Sequence, residues 1–185
     1  METTVINGKI NRSRSRLTIK AFASGLLSSF GHDPTFSARD ISGELSFVPD
    51  DPKSAKLNIT VRTSSIEVTG DISGKDRKDI EKTMREDVLQ IDRFPEVRFE
   101  STSVEGEKVF ENQYHVKISG NLTLHGVTNP ETIDAQVTVN GEQVRAYGDF
   151  TLRQTDYGMK LVSVAGGALK LKDEVKFSFD ILAQS

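Results

Sequence analysis

His32 and Asp33 are adjacent residues whose types could perform acid–base or metal chemistry. A histidine acts as a general base when a carboxylate orients it, and the same two side chains are common metal ligands. Adjacent side chains rarely point at one atom, however, and the remaining histidines, His115 and His125, lie far away in the sequence. An aspartate before a proline, here Pro34, is also typical of a turn in which the carboxylate bonds the nearby backbone. We therefore favour the turn and keep an enzyme built on this loop, a hydrolase or isomerase, as the alternative.

Other chemical motifs are weak or missing in the sequence. There is no cysteine, which excludes a thiol nucleophile, a disulfide and a thiolate metal site. The paired serines lack the Gly-x-Ser-x-Gly pattern of a nucleophile elbow. The Ala-Gly-Gly-Ala run at 165–168 lacks the Lys-Ser/Thr and the following helix of a phosphate-binding loop. We expect no catalytic residue, no metal ion and no cofactor. His115 is expected on a solvated strand face, and His125 is expected to hydrogen-bond within its hairpin.

Composition and charge narrow the range of partners. The chain has 185 residues and a formal net charge of −3, with acids and bases interspersed, which does not favour binding to nucleic acid. No apolar run approaches the roughly 20 residues of a membrane-spanning helix, so stable membrane insertion is not expected. No secretory signal is visible, which predicts a cytoplasmic protein, or a periplasmic one if a leader has been removed. We expect one domain over residues 1–185, and a homodimer stays open.

Strict alternation of apolar and polar residues is the strongest pattern in the sequence. It runs through five segments, at 57–61, 116–124, 133–139, 144–152 and 175–181. Weaker signals lie at 16–22, 36–47 and 97–104. A period of two is typical of a strand with one buried and one wet face. About eight such strands, several of them ten residues or longer, predict an all-β fold and favour an eight-stranded antiparallel barrel over a sandwich.

One segment, at about 74–91, has a helical period instead. Its apolar residues recur at steps of four, four and three: Ile80, Met84, Val88 and Ile91. Ser73 followed by Asp76 resembles a capping box, and Pro95 prevents continuation. The sequence therefore predicts one amphipathic helix inserted between strands, which either covers the barrel or fills its core.

The inward-facing side of the predicted strands includes several small residues. They are Ala21, Ser101, Gly120, Ala135, Ala146 and Gly148. A barrel of eight strands either fills with side chains or holds one small ligand. Small residues at facing levels would leave a void, and an apolar ligand is its natural occupant. Glycine in a strand also marks bends of the sheet, so a packed interaction module without a ligand stays a further alternative.

Three stretches of the sequence resemble the YceI-like family. They are Asp87-Val88-Leu89 with Phe94-Pro95-Glu96-Val97-Arg98-Phe99-Glu100-Ser101, then Ile118-Ser119-Gly120-Asn121-Leu122-Thr123-Leu124-His125-Gly126-Val127-Thr128-Asn129-Pro130, and the closing strand from Leu169 to Ile181. The resemblance covers roughly Leu17 to Ala183, and the first two blocks together are quite specific. The loop Phe30-Gly31-His32-Asp33-Pro34 departs from the pattern of many members.

This resemblance implies an extended lipocalin-like barrel whose lumen binds a long isoprenoid lipid, of the polyprenyl quinone or polyprenyl phosphate type. Many members of the family carry a secretory signal and act in the bacterial periplasm. By strand alternation and resemblance together, the lining is expected to consist of Leu17, Ile19, Leu45, Phe47, Phe99, Leu122, Leu124, Val137 and Phe150. Phe22, Leu26 and Phe30 are expected near one mouth. The lipid would be sequestered or transported without covalent chemistry.

Overall fold

The computed structural model describes residues 5–25 and 33–185. In this part of the chain, twelve β-strands and one α-helix are present. The strands are β1 (Ile6–Ile10), β2 (Arg16–Ser24), β3 (Thr35–Ala38), β4 (Ile41–Val48), β5 (Asp51–Arg62), β6 (Ile66–Thr69), β7 (Glu96–Phe110), β8 (Gln113–Leu124), β9 (Val127–Asn140), β10 (Gln143–Arg153), β11 (Ser163–Val164) and β12 (Leu169–Gln184). The helix α1 (Gly74–Thr83) continues as a π-helical turn at Met84–Val88.

Eight of the described strands form a closed antiparallel ring, which confirms the predicted barrel. The order around the ring is β1-β4-β5-β7-β8-β9-β10-β12. The ring closes because β1 also pairs with the end of β12, through Lys9 opposite Gln184 and Ile10 opposite Ala183. Strands β2, β3 and β6 extend the same sheet from β12 in the order β12-β2-β3-β6. Closure of the ring reduces the number of free sheet edges, which would otherwise invite aggregation, and β6 remains the terminal strand of the extension.

Three neighbouring segments of the sheet bend at the same level. Each bend divides its segment into two strands, namely β1 and β2, β3 and β4, and β5 and β6. Strands β1 and β2 both pair with β12 and are separated by a 3₁₀ turn at Arg12–Arg14. Strands β3 and β4 are separated at Arg39 and Asp40, so the strand predicted at 36–47 is split in two. Strands β5 and β6 are separated by a 3₁₀ turn at Thr63–Ser65. The bends let each wall curve over the interior.

Hydrogen bonds replace the ladder at these bends. The backbone N–H of Asp40 donates to Oγ of Ser65 at 3.0 Å. Thr63 is 2% exposed, and its N–H donates to the carbonyl of Pro95 while its hydroxyl donates to the carbonyl of Phe94, both at 3.0 Å. Buried backbone groups need such partners to avoid a desolvation penalty. The bends are therefore specific structures and not frayed ends.

The helix begins where the sequence predicts and is shorter than predicted. Ser73 caps it by accepting from the N–H of Asp76 at 3.1 Å, and its hydroxyl donates to the carboxylate of Asp76 at 2.7 Å. The α-helical turns end at Thr83 and the π-helical turn at Val88. Among the described residues, no helix has the length and apolar character to cross a membrane.

Candidate functional site

A cavity of about 650 Å³ runs through the barrel. This volume lies within the roughly 300–1,000 Å³ typical of sites for small ligands. Side chains from every wall of the ring and from the helical segment contribute to its lining, and most of them are apolar. Phe150 and Phe177 stack on this wall with ring centroids 4.8 Å apart and an angle of 8° between their planes. The cavity can therefore hold an elongated apolar molecule.

The structure places nine of the twelve predicted lining residues on the cavity wall. They are Leu17, Ile19, Leu45, Phe47, Phe99, Leu122, Leu124, Val137 and Phe150. Contact of these side chains with a ligand stays a prediction. Leu26 and Phe30 lie outside the described residues.

Phe22, which is predicted near one mouth, is not among the residues on the cavity wall. Ala21 and Ala23 of the same strand line the cavity, and successive side chains of a strand point to opposite faces. The ring of Phe22 therefore lies on the outer face, where the ammonium of Lys20 sits 5.4 Å from its centroid.

Two groups of lining residues were missed from the sequence. The first is the apolar face of the helical segment, where Ile80, Met84 and Val88 face the cavity. The second is the last strand, where Phe177 and Phe179 contribute aromatic rings. The alternation of residues 175–181 carried the signal for the second group. The stripe on the helix was recognised, but its periodicity alone does not say whether it covers a cavity or fills a core.

The cavity does not arise from the glycines to which it was attributed. A methyl group on Gly120 would stand 2.6 Å from Cζ of Phe99, and one on Gly148 would stand 2.9 Å from Cζ of Phe179. The space above each glycine is thus occupied by an aromatic ring from the neighbouring strand. Of the six small residues singled out in the sequence, Ala21 and Ala146 lie on the cavity wall.

The helical segment covers the side of the barrel next to the edge of β6. The carboxylate of Glu81 accepts from the N–H of Val68 at 3.1 Å. The guanidinium of Arg77 donates to the carbonyls of Val68 and Gly70, and that of Arg85 donates to the carbonyl of Ile66 at 3.4 Å. Side chains of the helix thus take the place that a neighbouring strand would have.

A polar contact lies at one end of the cavity, between the β4–β5 turn and the hairpin of β7 and β8. Asp50, in the turn between β4 and β5, accepts from Nζ of Lys108 and from Oη of Tyr114, each at 2.8 Å. The hydrogen bond from Lys108 is the main reason why the pKa of Asp50 lies below its ordinary value. The pKa of the Tyr114 hydroxyl is raised, first by burial and then by its bond to Asp50.

Those residues considered for catalysis that the structure describes have separate partners. His32 lies outside the described residues. Asp33 accepts from the backbone N–H of Ala23 at 2.9 Å, so its carboxylate bonds backbone as the turn interpretation expects, although across the loop. His115 is exposed, 3.9 Å from Asp134. Nδ1 of His125 lies 3.2 Å from the carbonyl oxygen of Tyr157, so this histidine bonds the neighbouring 3₁₀ turn and not its own hairpin as predicted.

Metal-binding geometry is also not found in the part of the chain that the structure describes. There, no group of three or more His, Asp or Glu side chains is close enough to hold a metal ion.

A closed antiparallel ring of eight strands around an apolar cavity defines a β-barrel of the lipocalin-like kind. Comparison with known families identifies it further: residues 9–183 match the family model of the YceI-like domain. The chain therefore belongs to the YceI-like family.

Relatives of known sequence and structure agree with this assignment. A UPF0312 protein from Pseudomonas savastanoi pv. phaseolicola is 32% identical over 132 residues, which is 66% of this chain and 62% of that protein. The fold is similar to that of Burkholderia cenocepacia BcnA, with a TM-score of 0.71, 16% identity and coverage of 95% and 99% of the two chains. It is also similar to a polyisoprenoid binding domain from Saccharophagus degradans implicated in plant cell wall breakdown, with a TM-score of 0.68, 15% identity and coverage of 98% and 99%. At these identities, the two structures show the shared fold.

Proposed function

We propose that this protein binds a long isoprenoid lipid in the barrel cavity and sequesters or transports it without chemical conversion. The single observation that carries this proposal is the cavity of about 650 Å³, which is lined mainly by apolar side chains from all walls of the barrel. Apolar cavities hold water poorly, and an empty cavity destabilises the protein. Filling it with an apolar molecule therefore lowers the free energy of the protein–ligand system. Burial of an isoprenoid chain contributes about 25 cal/mol per Å² of apolar surface removed from water.

Family membership and the named neighbour support the ligand class. The Saccharophagus degradans domain, which shares the fold, is described as polyisoprenoid binding. A polyprenyl quinone or a polyprenyl phosphate has the apolar chain that such a cavity would enclose. We propose no enzymatic step, because the described residues offer an apolar enclosure and no assembled catalytic group.

A binding experiment with a steric block tests the proposal. Ala146 lines the cavity, opposite Val137 on β9 and Ile181 on β12. The substitution Ala146→Phe is expected to fill part of the cavity and to weaken the binding of a polyprenyl quinone at least tenfold, which corresponds to about 1.4 kcal/mol. Isothermal titration calorimetry or displacement of an apolar fluorophore would measure the dissociation constant.

Thr151→Phe is the matched control, because it adds the same ring at an exposed position of the same strand. It is expected to bind the quinone as the unmodified protein does. Equal affinity in both variants, with both folded by circular dichroism, would show that the ligand does not occupy the cavity.

A further inference from the structure

The barrel wall has a seam between β5 and β7. The two strands pair from Arg62 opposite Glu96 to Asn58 opposite Glu100, and their pairing stops there. Beyond this point the N–H of Leu57 donates to the hydroxyl of Ser101 at 2.9 Å, so a side chain replaces the ladder bond. The register of β7 against β8 shifts between Ser101 and Ser103, which indicates a bulge. A bulge bends its strand, and this one lies next to the point where the pairing of β7 with β5 stops.

A polar cleft of about 370 Å³ lies at this seam. It is lined by Lys53, Ala55, Lys56, Ser101, Thr102, Ser103, Val104 and Glu105. Ala55 and Val104 line the apolar cavity as well as the cleft. The two spaces are therefore neighbours across the barrel wall, with one small and one medium-sized apolar side chain between them.

The charges of the two spaces differ in sign. The cleft carries Lys53 and Lys56 against one carboxylate, that of Glu105. In the described part of the chain, neither lysine forms an ion pair within 4.0 Å. Two other lysines do: Lys108 pairs with Asp50, and Lys176 pairs with Asp149. The ionisable residues on the cavity wall are mainly acidic: Glu44, Asp50, Asp51 and Asp79, with Lys170 as the basic one. An anion would be repelled at the acidic positions of the cavity and attracted to the cleft.

We propose that the polar cleft binds the anionic head group of an amphipathic lipid whose apolar chain lies in the cavity. The proposal rests on the proposed function and adds to it the location and the charge of the head group. The ammonium groups of Lys53 and Lys56 would form charge-assisted hydrogen bonds with an oxyanion, and the serine hydroxyls of the cleft would complete them. The chain would pass through the seam between Ala55 and Val104, where no strand pairing has to be broken.

A pair of ligands that differ only in the head group tests this site. Farnesyl phosphate and farnesol have the same apolar chain, so the ratio of their dissociation constants isolates the phosphate. At low ionic strength the unmodified protein is expected to bind farnesyl phosphate about tenfold more tightly than farnesol, as one charge-assisted contact of ordinary strength predicts. In the double variant Lys53→Gln, Lys56→Gln, this ratio is expected to fall toward one.

The matched control is the double variant Lys117→Gln, Lys172→Gln, which removes the same charge from exposed positions outside the cleft. It is expected to keep the tenfold ratio. Inorganic phosphate is the third probe, because it carries the anion without the chain. At millimolar concentration it is expected to weaken the binding of farnesyl phosphate and to leave that of farnesol unchanged.

Four results would overturn the proposal. An unmodified protein that binds both farnesyl compounds equally has no head-group site, while its proposed function stands. A ratio that is equally high in the cleft variant and the control places the anion elsewhere. Inorganic phosphate that binds as tightly as farnesyl phosphate makes the cleft a site for the free anion, unconnected with the cavity. Binding of neither farnesyl compound contradicts the proposed function and this proposal together.

Discussion

The ring of Phe179 lies against the backbone of Gly148, its partner on the neighbouring strand. The two residues are directly opposite in the ladder of β10 and β12. A Cβ atom on the glycine would stand 2.9 Å from Cζ of that ring and 2.5 Å from the carbonyl oxygen of Asp134. The absence of a side chain on this glycine therefore leaves room for the aromatic ring against the backbone of the barrel wall.

Gly148→Ala is expected to destabilise the protein. The added methyl group meets both a ring and a backbone oxygen, and overpacking of this kind costs about 1–3 kcal/mol. Thermal or urea denaturation would measure the loss. Gly74→Ala is the control, since no atom lies within 4 Å of the Cβ it would add at the first turn of α1. If both substitutions have the same small effect, the close contact between the Phe179 ring and the backbone of Gly148 is not a feature of the protein in solution.

Tyr157 is expected to make the protein less stable at alkaline pH. Its side chain is fully buried and its hydroxyl donates to Oε1 of Glu131 at 2.6 Å. Burial, followed by this bond, raises the pKa of the hydroxyl far above the ordinary 10.0. The raised pKa stabilises the fold fully below about pH 10, the value of an unfolded tyrosine, and the contribution is lost as the pH rises further.

The variant Tyr157→Phe removes this dependence. It is expected to be less stable than the unmodified protein at pH 8, because Glu131 loses its donor, a loss of about 1–3 kcal/mol for a hydrogen bond to a charged group. The difference should shrink between pH 10 and 12, as measured by urea denaturation over that range. A difference that stays constant over this range would contradict the assignment.

Arg77 is expected to hold the helix on the edge of β6. Its guanidinium donates to the carbonyls of Val68 and Gly70. Arg77→Met leaves these acceptors without their donor and is expected to increase amide hydrogen exchange in α1 and β6. Lys78→Met, which changes an exposed neighbour, is the control. Protection that is unchanged in both variants would show that other contacts hold the helix.

Phe150 and Phe22 provide a comparison between the inner and the outer face. Phe150 lines the cavity and stacks on Phe177, whereas Phe22 does not line it. Phe150→Ser is expected to weaken the binding of a polyprenyl quinone at least tenfold, because it places a hydroxyl in the apolar wall. Phe22→Ser is expected to bind as the unmodified protein does. Calorimetric titration of both variants checks this, and the reverse order of affinities would contradict the assignment of the two faces.

The alternation of residues predicted the barrel because it is a local property of each strand. Nine of the twelve residues predicted to bind the ligand lie on the cavity wall, because the face of a residue follows from its parity within a strand. Phe22 was predicted near one mouth, whereas its neighbours Ala21 and Ala23 are the residues of this strand that lie on the cavity wall. The contacts of the Phe99 ring with Gly120 and of the Phe179 ring with Gly148 were not predictable, because they depend on the register between strands.

The bends were equally hidden from a single sequence. The split between Ala38 and Ile41 depends on contacts with the 3₁₀ turn at Thr63–Ser65, which lies more than twenty residues away. The apolar positions change parity across it, from Phe36 and Ala38 to Ile41, Leu45 and Phe47, which marks a break but not the contacts that make it a bend. The seam between β5 and β7 likewise follows from a bulge that only the pairing with β8 reveals.

The content of the cavity in protein purified without detergent tests the central claim most directly. Native mass spectrometry would detect a bound species as an added mass, and organic extraction followed by mass analysis would identify it. We predict a co-purifying isoprenoid lipid, or one that is taken up after incubation with polyprenyl quinones. A protein that shows the mass of the bare chain before and after incubation would contradict the assignment of the cavity as an isoprenoid site.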